Sequence, residues 1–246
     1  MKPPFSSLLK MAAEIRIGAS GFSYKEWLGN FYPPKLPGAK MLAFYSDRLP
    51  TVEINYTFRA MPRRAMLEGW AEKTPTTFRF ALKAPQRITH FARLRGIKES
   101  LDYFIETAGA LGDRLGPVLF QLPPDFPRDL DLLRDFLAQI DGRVRGAFEF
   151  RNRSWFDDSV LDTLRKGGAA LCIAESDRIA SPIEPTASHV YLRLRKEAYD
   201  DAALAHWAGQ LLRLAENATE IYVYFKHEVA APQLAARLAS LVSSGP

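Results

Sequence analysis

Phe78-Arg79-Phe80-Ala81-Leu82-Lys83 is the stretch from which the fold can be read. Large apolar side chains alternate with arginine, alanine and lysine. In a β-strand that alternation puts Phe78, Phe80 and Leu82 on one face and Arg79, Ala81 and Lys83 on the other. Runs of similar length recur at Ile15–Ala19, Thr51–Ile54, Phe78–Leu82, Pro117–Gln121, Val144–Phe150, Ala169–Ala174, His189–Leu194 and Ile221–Phe225. Between them, Lys40–Arg48, Pro62–Glu72, Glu99–Leu111, Leu130–Gln139, Ser159–Lys166, Asp201–Ala215 and Pro232–Val242 carry apolar positions at three- and four-residue steps, which predicts helices. The sixth unit lacks a good helix, and Glu175 to Ser188 reads as loop. Strand followed by helix through eight units argues for a parallel sheet with helices outside, and a single (β/α)8 TIM-type barrel is its simplest closure. An open doubly wound sheet would carry a glycine-rich phosphate loop after its first strand, and Gly18-Ala19-Ser20-Gly21-Phe22 lacks that fingerprint.

The length of 246 residues is that of one such barrel, expected over residues 15–242 with an extension at 1–14 and a short tail at 243–246. With 47% hydrophobic and 25% charged residues the chain can bury a large core. Leu8-Leu9 and Met11-Ala12-Ala13 are too short for a signal-peptide core, and no apolar run approaches a membrane span, so no membrane partner is expected. Cys172, the single cysteine, leaves no internal disulfide, which fits a reducing, cytoplasmic compartment. Its apolar surroundings read as core. The net charge of +5 favours anionic ligands without singling out nucleic acid.

Parity along the strands locates the candidate site. If Val52, Ile54, Val118, Phe120, Phe148, Phe150, Val190, Leu192, Ile221, Val223 and Phe225 pack on helices, then Ser20, Glu53, Asn55, Lys83, Gln121, Glu149, Arg151, Arg193 and Lys226 face the barrel axis near the strands' C-terminal ends. Barrel active sites lie at that end, and barrel interiors are ordinarily filled by Val, Ile and Leu. A purely structural ion network, Glu149–Arg151 and Glu53–Lys83, is the competing reading. In the loops, His90 is a candidate acid or base, and Tyr24, Trp27 and Trp155 are aromatics that could stack on a ligand. No zinc spacing of Cys and His exists. Glu53, Glu149 and Glu175 offer oxygen ligands to a divalent metal, with Lys83 and Arg151 competing for the same carboxylates, so no cofactor is predicted.

Several stretches together resemble the YecE-like family: Ile17-Gly18-Ala19-Ser20-Gly21-Phe22, Thr51-Val52-Glu53-Ile54-Asn55, Phe80-Ala81-Leu82-Lys83-Ala84, Ile88-Thr89-His90, Gly116 to Pro124, and Phe148-Glu149-Phe150-Arg151 with Ser154-Trp155-Phe156. The resemblance runs from about Ile15 to the C-terminal helix. It implies a TIM-like fold and makes Glu53, Asn55, Lys83, His90, Gln121, Glu149, Arg151 and Arg193 family-like positions. It brings no reaction with it. The chain departs from the family pattern at Arg193-Leu194-Arg195-Lys196, at Lys226-His227-Glu228 and at Glu175, so one rim of the pocket is rebuilt and more basic.

Three functions are compatible with these residues. The favoured one is an acid–base enzyme, a hydrolase, isomerase or lyase, acting on an anionic, possibly phosphate-bearing small substrate. Arg151, Arg193 and Lys226 would clamp the anion, Glu149 or Glu53 would be the base, and His90 or Lys83 the acid. Raised carboxyl pKa values would suit that role, and a Lys83 Schiff base is a variant. A nucleic-acid-binding or nuclease-like barrel, suggested by Arg93-Leu94-Arg95, and a non-catalytic small-molecule binder are the alternatives. The oligomeric state is not legible.

Overall fold

A computed structural model describes residues 12–176 and 180–245. Eight parallel strands close into a barrel in chain order. They are β1 (Glu14–Ser20), β2 (Thr51–Ile54), β3 (Arg79–Lys83), β4 (Leu115–Gln121), β5 (Gly146–Glu149), β6 (Ala170–Glu175), β7 (His189–Leu194) and β8 (Glu220–Phe225), with β1 hydrogen-bonded to β8. The helices are α1 (Gly38–Ser46), a single turn α2 (Tyr56–Arg59), α3 (Arg64–Glu72), α4 (Lys98–Ala108), α5 (Leu130–Ile140), α6 (Asp158–Lys166), α7 (Asp201–Ala215) and α8 (Ala231–Ser244). No helix joins β6 to β7 among the described residues. The N-terminal extension falls largely outside the described residues. At the other end α8 continues past residue 242 to Ser244, because Leu241 and Val242 still pack on the core.

The helices form for local reasons. Asp129, Asp157 and Asp200 cap α5, α6 and α7 by accepting from Leu132, Ser159 and Ala203 backbone N–H groups. In α5, Leu133, Phe136, Leu137 and Ile140 make one buried stripe. Phe136 meets Phe120 of β4 edge-on at 4.9 Å, and Phe120 stacks on Phe148 of β5 at 5.3 Å.

Inside the staves the side chains fall into layers. The floor holds Arg16, Arg145, His189 and Glu220. Arg145 pairs with Glu220, and His189 donates to the Gly146 carbonyl at 3.1 Å. The middle layer is apolar and phenolic, with Ala81, Leu119, Ala147, Cys172, Tyr191, Tyr222 and Tyr224 in one buried cluster. Thus β6 turns Ala170, Cys172 and Ala174 inward and sends Leu171 and Ile173 to the helices. The top layer carries the polar groups.

Gly18 is required where β1 passes β2. A Cβ there would sit 2.0 Å from the Thr51 carbonyl oxygen, a backbone atom held in the sheet. Gly18→Ala should therefore destabilise the barrel by at least about 2 kcal/mol, read as a lower urea midpoint, since overpacking a rigid contact costs on the order of 1–3 kcal/mol. An unchanged midpoint would show that the two strands are not so closely apposed.

Candidate functional site

The top layer is organised around Arg193 of β7. Its side chain is 1% exposed, and its two terminal nitrogens reach two carboxylates from opposite parts of the barrel. Nη2 lies 2.8 Å from Glu53 Oε1, and Nη1 pairs with Glu149 Oε2. Glu53 Oε1 also accepts from Ser20 Oγ and, at 3.4 Å, from Asn55 Nδ2, while Oε2 accepts from Tyr191 OH at 2.7 Å. Asn55 Nδ2 donates to Ser20 Oγ at 2.6 Å, closing a small polar ring over β1 and β2. Gln121 Nε2 donates to Glu149 Oε2 at 2.8 Å, so its carbonyl oxygen turns to Lys83 Nζ, also at 2.8 Å.

Burial alone would push both carboxyls up. At Glu149 it is outweighed by Arg193, then Arg195, Gln121 and Arg151, which hold the group at about 2. At Glu53, Arg193, Ser20 and Tyr191 likewise win and the pKa lies below the ordinary range. The raised carboxyl values expected from crowding are therefore reversed: a guanidinium sits between the two acids. Neither is a proton donor at neutral pH.

Lys83 behaves in the opposite way. Its side chain is 7% exposed, and among the described residues no carboxylate comes within ion-pair distance of Nζ. Burial first, then Arg193, bring its pKa down to about 7, against the upward pull of Glu53 and Glu149. The Phe58 ring lies 3.7 Å from Nζ and meets His90 edge-on at 4.9 Å. His90 sits on a π turn, Arg87–Phe91, hydrogen-bonded from Nδ1 to Thr89 Oγ1 at 2.9 Å. Burial, Lys83 and Arg151 lower its pKa, so the imidazole is neutral at pH 7.

The rim is cationic. Arg195 Nη2 and Arg151 Nε lie 3.2 and 3.6 Å from Glu149 Oε1, an oxygen that accepts no hydrogen bond among the described residues. Lys226 reaches solvent on one side, and the partial desolvation of its amine, with Arg193 and Arg195, depresses its pKa. Five cationic side chains thus surround two carboxylates. Tyr24 stands half-buried beside them, its OH donating to the Ser20 carbonyl at 2.9 Å.

These residues match, over 16–245, the family described as "Protein of unknown function DUF72". The chain belongs to that family. It is 32% identical over 185 residues to the UPF0759 protein YunF of Bacillus subtilis, covering 70% of this chain and 64% of YunF. It is also 32% identical over 155 residues to the UPF0759 protein YecE of Escherichia coli K12, covering 62% of this chain and 54% of YecE. The chain thus spans little more than half to two thirds of these relatives' length. A DUF72 family protein from Thermotoga maritima superposes with a TM-score of 0.81 at 23% identity, over 94% of this chain and 99% of that one. One from Enterococcus faecalis gives 0.75 at 20% identity, over 94% and 97%. These likenesses support the barrel.

Within this DUF72 chain, Ser20, Glu53, Asn55, Lys83, Gln121, Glu149 and Arg193 form one connected group, with Tyr24, His90, Arg151 and Lys226 around it. Trp27 and Trp155 stand apart. Both are 0% exposed and offer no ring face to a ligand. Trp27 packs among Tyr24, Tyr32 and Tyr45 with its indole N–H on the Glu228 carbonyl at 2.8 Å. Trp155 stacks on Phe150 at 4.6 Å and donates to the Phe126 carbonyl. Glu175 shares the outward parity of Leu171 and Ile173. It bonds Lys196 Nζ at 2.6 Å and Trp207 Nε1 at 3.0 Å, away from Glu53 and Glu149. No group of three or more His, Cys, Asp and Glu that could hold a metal occurs among the described residues, and Arg193 stands where a cation between Glu53 and Glu149 would bind. Of the expected pairings, Glu149–Arg151 is present at 3.6 Å, whereas Glu53 pairs with Arg193 and not with Lys83. Arg193's terminal nitrogens are consequently directed at protein carboxylates. Sequence reading met Arg195 only as part of a more basic rim, although the parity that turns Arg193 inward extends two residues further; the same parity turned Tyr191 inward without giving it a partner, and Phe58 was missed.

Arg193→Met should cost about 3–5 kcal/mol in urea unfolding at pH 7, because it leaves two buried carboxylates without their guanidinium. A loss below about 1 kcal/mol would mean that the carboxylates have other counter-charges. Lys83→Met should do the reverse below pH 7. There the native state carries a buried ammonium whose folded pKa lies well below its unfolded value of about 10.4, a penalty on the order of 2–4 kcal/mol before the loss of the Gln121 bond. That penalty is complete below about 7 and fades as pH rises to the unfolded value. The stability difference between variant and wild type should therefore shrink between pH 7 and about 10.4. A difference independent of pH would contradict the depressed amine.

Proposed function

We propose that this protein is an enzyme acting by acid–base chemistry on an anionic, phosphate- or carboxylate-bearing small molecule at the C-terminal mouth of its barrel. One observation carries the reading: a buried amine without a carboxylate partner, Lys83, at the centre of a mouth whose cations outnumber its carboxylates. Arg151, Arg195 and Lys226 receive the anion, and guanidinium groups suit planar, bidentate binding. Lys83 is the group whose protonation changes near neutral pH, which is where an acid–base catalyst works best. The neutral imidazole of His90 is a second proton acceptor. Glu149 Oε1, buried and paired with Arg195 and Arg151, holds those two guanidinium groups at the rim. Glu53 and the other oxygen of Glu149 fix Arg193, while Ser20 and Asn55 fix Glu53 and Gln121 holds Lys83.

The nucleic-acid alternative draws less support. Arg93 pairs with Asp125, and Arg95 lies 2.8 Å from Asp129, so the arginines that suggested a phosphate-tracking surface face carboxylates instead.

The test is a thermal-shift panel of phosphosugars, sugar acids and inorganic phosphate at constant ionic strength, followed by NMR time courses on the hits. A raised midpoint that Lys226→Gln with Arg151→Gln abolishes, and turnover that Lys83→Met abolishes, are expected. Binding without turnover in wild type would make the barrel a non-catalytic binder. No anion-dependent shift would remove the anionic site.

A further inference from the structure

Lys83 ends β3, and its backbone is pinned where Thr57 Oγ1 donates to the Lys83 carbonyl at 2.6 Å. From there Nζ meets one hydrogen-bond acceptor, Gln121 Oε1, and one aromatic face, Phe58. Gln121 is itself held, because its amide nitrogen donates to Glu149. Among the described residues these are the partners of Nζ. An ammonium has three N–H donors to satisfy, and among the described residues only Gln121 accepts one. A neutral amine needs less: one N–H to Gln121 leaves a lone pair. The cation–π contact with Phe58 favours the charged form by about 0.5–2 kcal/mol, but removing an ammonium from water costs several kcal/mol. The nearby acids cannot tip the balance, since Arg193 occupies both.

A buried, positioned, unprotonated amine is a nucleophile for carbonyl carbon. We propose that Lys83 forms an imine with an aldehyde or ketone that carries a carboxylate or phosphate. This rests on the reading of the mouth as an anion site, with Arg151, Arg195 and Lys226 holding the charged end. The Nζ lone pair adds to the carbonyl carbon, and the C=O π pair moves to oxygen, which takes one hydrogen from nitrogen. The carbinolamine C–O bond then breaks as nitrogen forms the C=N bond, and the second amine hydrogen leaves on that oxygen as water. No oxidant or reductant enters.

Pyridoxal 5′-phosphate, an anionic aldehyde, is the probe. The full chain is treated at pH 7 with a stoichiometric amount, reduced with cyanoborohydride, and its peptides are mapped by mass spectrometry. At that pH the free-amine fraction of Lys83 exceeds that of an ordinary lysine by about a thousandfold. After allowance for its weaker intrinsic nucleophilicity and its burial, the adduct on Lys83 should exceed that on any exposed lysine at least about tenfold. Inorganic phosphate should suppress it, and Lys83→Met, which should fold, should lack it. Label confined to exposed lysines, while phosphate still raises the thermal midpoint, would overturn the imine and leave the anion site standing. Label on Lys83 that phosphate does not suppress, with no thermal shift by phosphate, would overturn the anionic substrate class while leaving the nucleophile.

Discussion

Everything at the top of this barrel depends on Arg193 lying between Glu53 and Glu149. Taking a guanidinium and two carboxylates out of water costs several kcal/mol for each ion, and their mutual attraction repays it only when geometry and hydrogen bonds are good. Here Ser20, Asn55 and Tyr191 complete Glu53, and Gln121 completes one oxygen of Glu149. A layer of Val, Ile and Leu would fill the same space with no such requirement. The ionic layer therefore gives the fold little that apolar packing would not, and its consequence is electrostatic. By engaging both acids it leaves Lys83 without a carboxylate in ion-pair contact, and burial together with Arg193 brings its pKa down to about 7.

The layers beneath make that arrangement rigid. Tyr191 spans from the phenolic middle layer to Glu53, and its ring lies 5.2 Å from that of Tyr224. Tyr224 OH shares a hydrogen bond with Thr51 Oγ1 at 2.7 Å, and Tyr45 OH donates to the Thr51 carbonyl while receiving the Ala19 N–H. Phenols from β7, β8 and α1 thus tie the staves that carry Ser20 and Glu53. Glu53, Lys83, Gln121, Glu149 and Arg193 stand on strands, which holds them to closer tolerances than loops would, while Arg151, Arg195 and Lys226 follow directly on strand ends.

Strand parity was enough to put the polar groups of the top layer on the barrel axis, because a period of two is a property of each strand alone. Which charge meets which is a different matter. It depends on the stagger between strands: Glu149 does meet Arg151 two residues on, but the stagger brings Arg193 of β7 to Glu53 of β2 across the barrel, where Lys83 had been the expected partner. The reversal of the carboxyl pKa values follows from that one pairing. Trp27 and Trp155 misled because a loop position says nothing of where a large ring turns. Both rings found the helix-side core and a carbonyl for the indole N–H. Glu175 illustrates the same point at the end of β6, whose parity the apolar run Ala169–Ala174 left undecided. The π turn that carries His90 and the single turn α2 that carries Phe58 are too short to leave a periodic signature.

The account stands or falls on the charge of Lys83, and the most direct measurement is an NMR titration of the protein labelled with ¹³C at the lysine Cε, with Lys83 assigned by its absence in Lys83→Met. A Lys83 resonance titrating with a midpoint near 7, apart from the exposed lysines, is the predicted result. A midpoint at the ordinary lysine value of about 10.4 would show that the amine keeps its proton at neutral pH and that Arg193 does not monopolise the carboxylates.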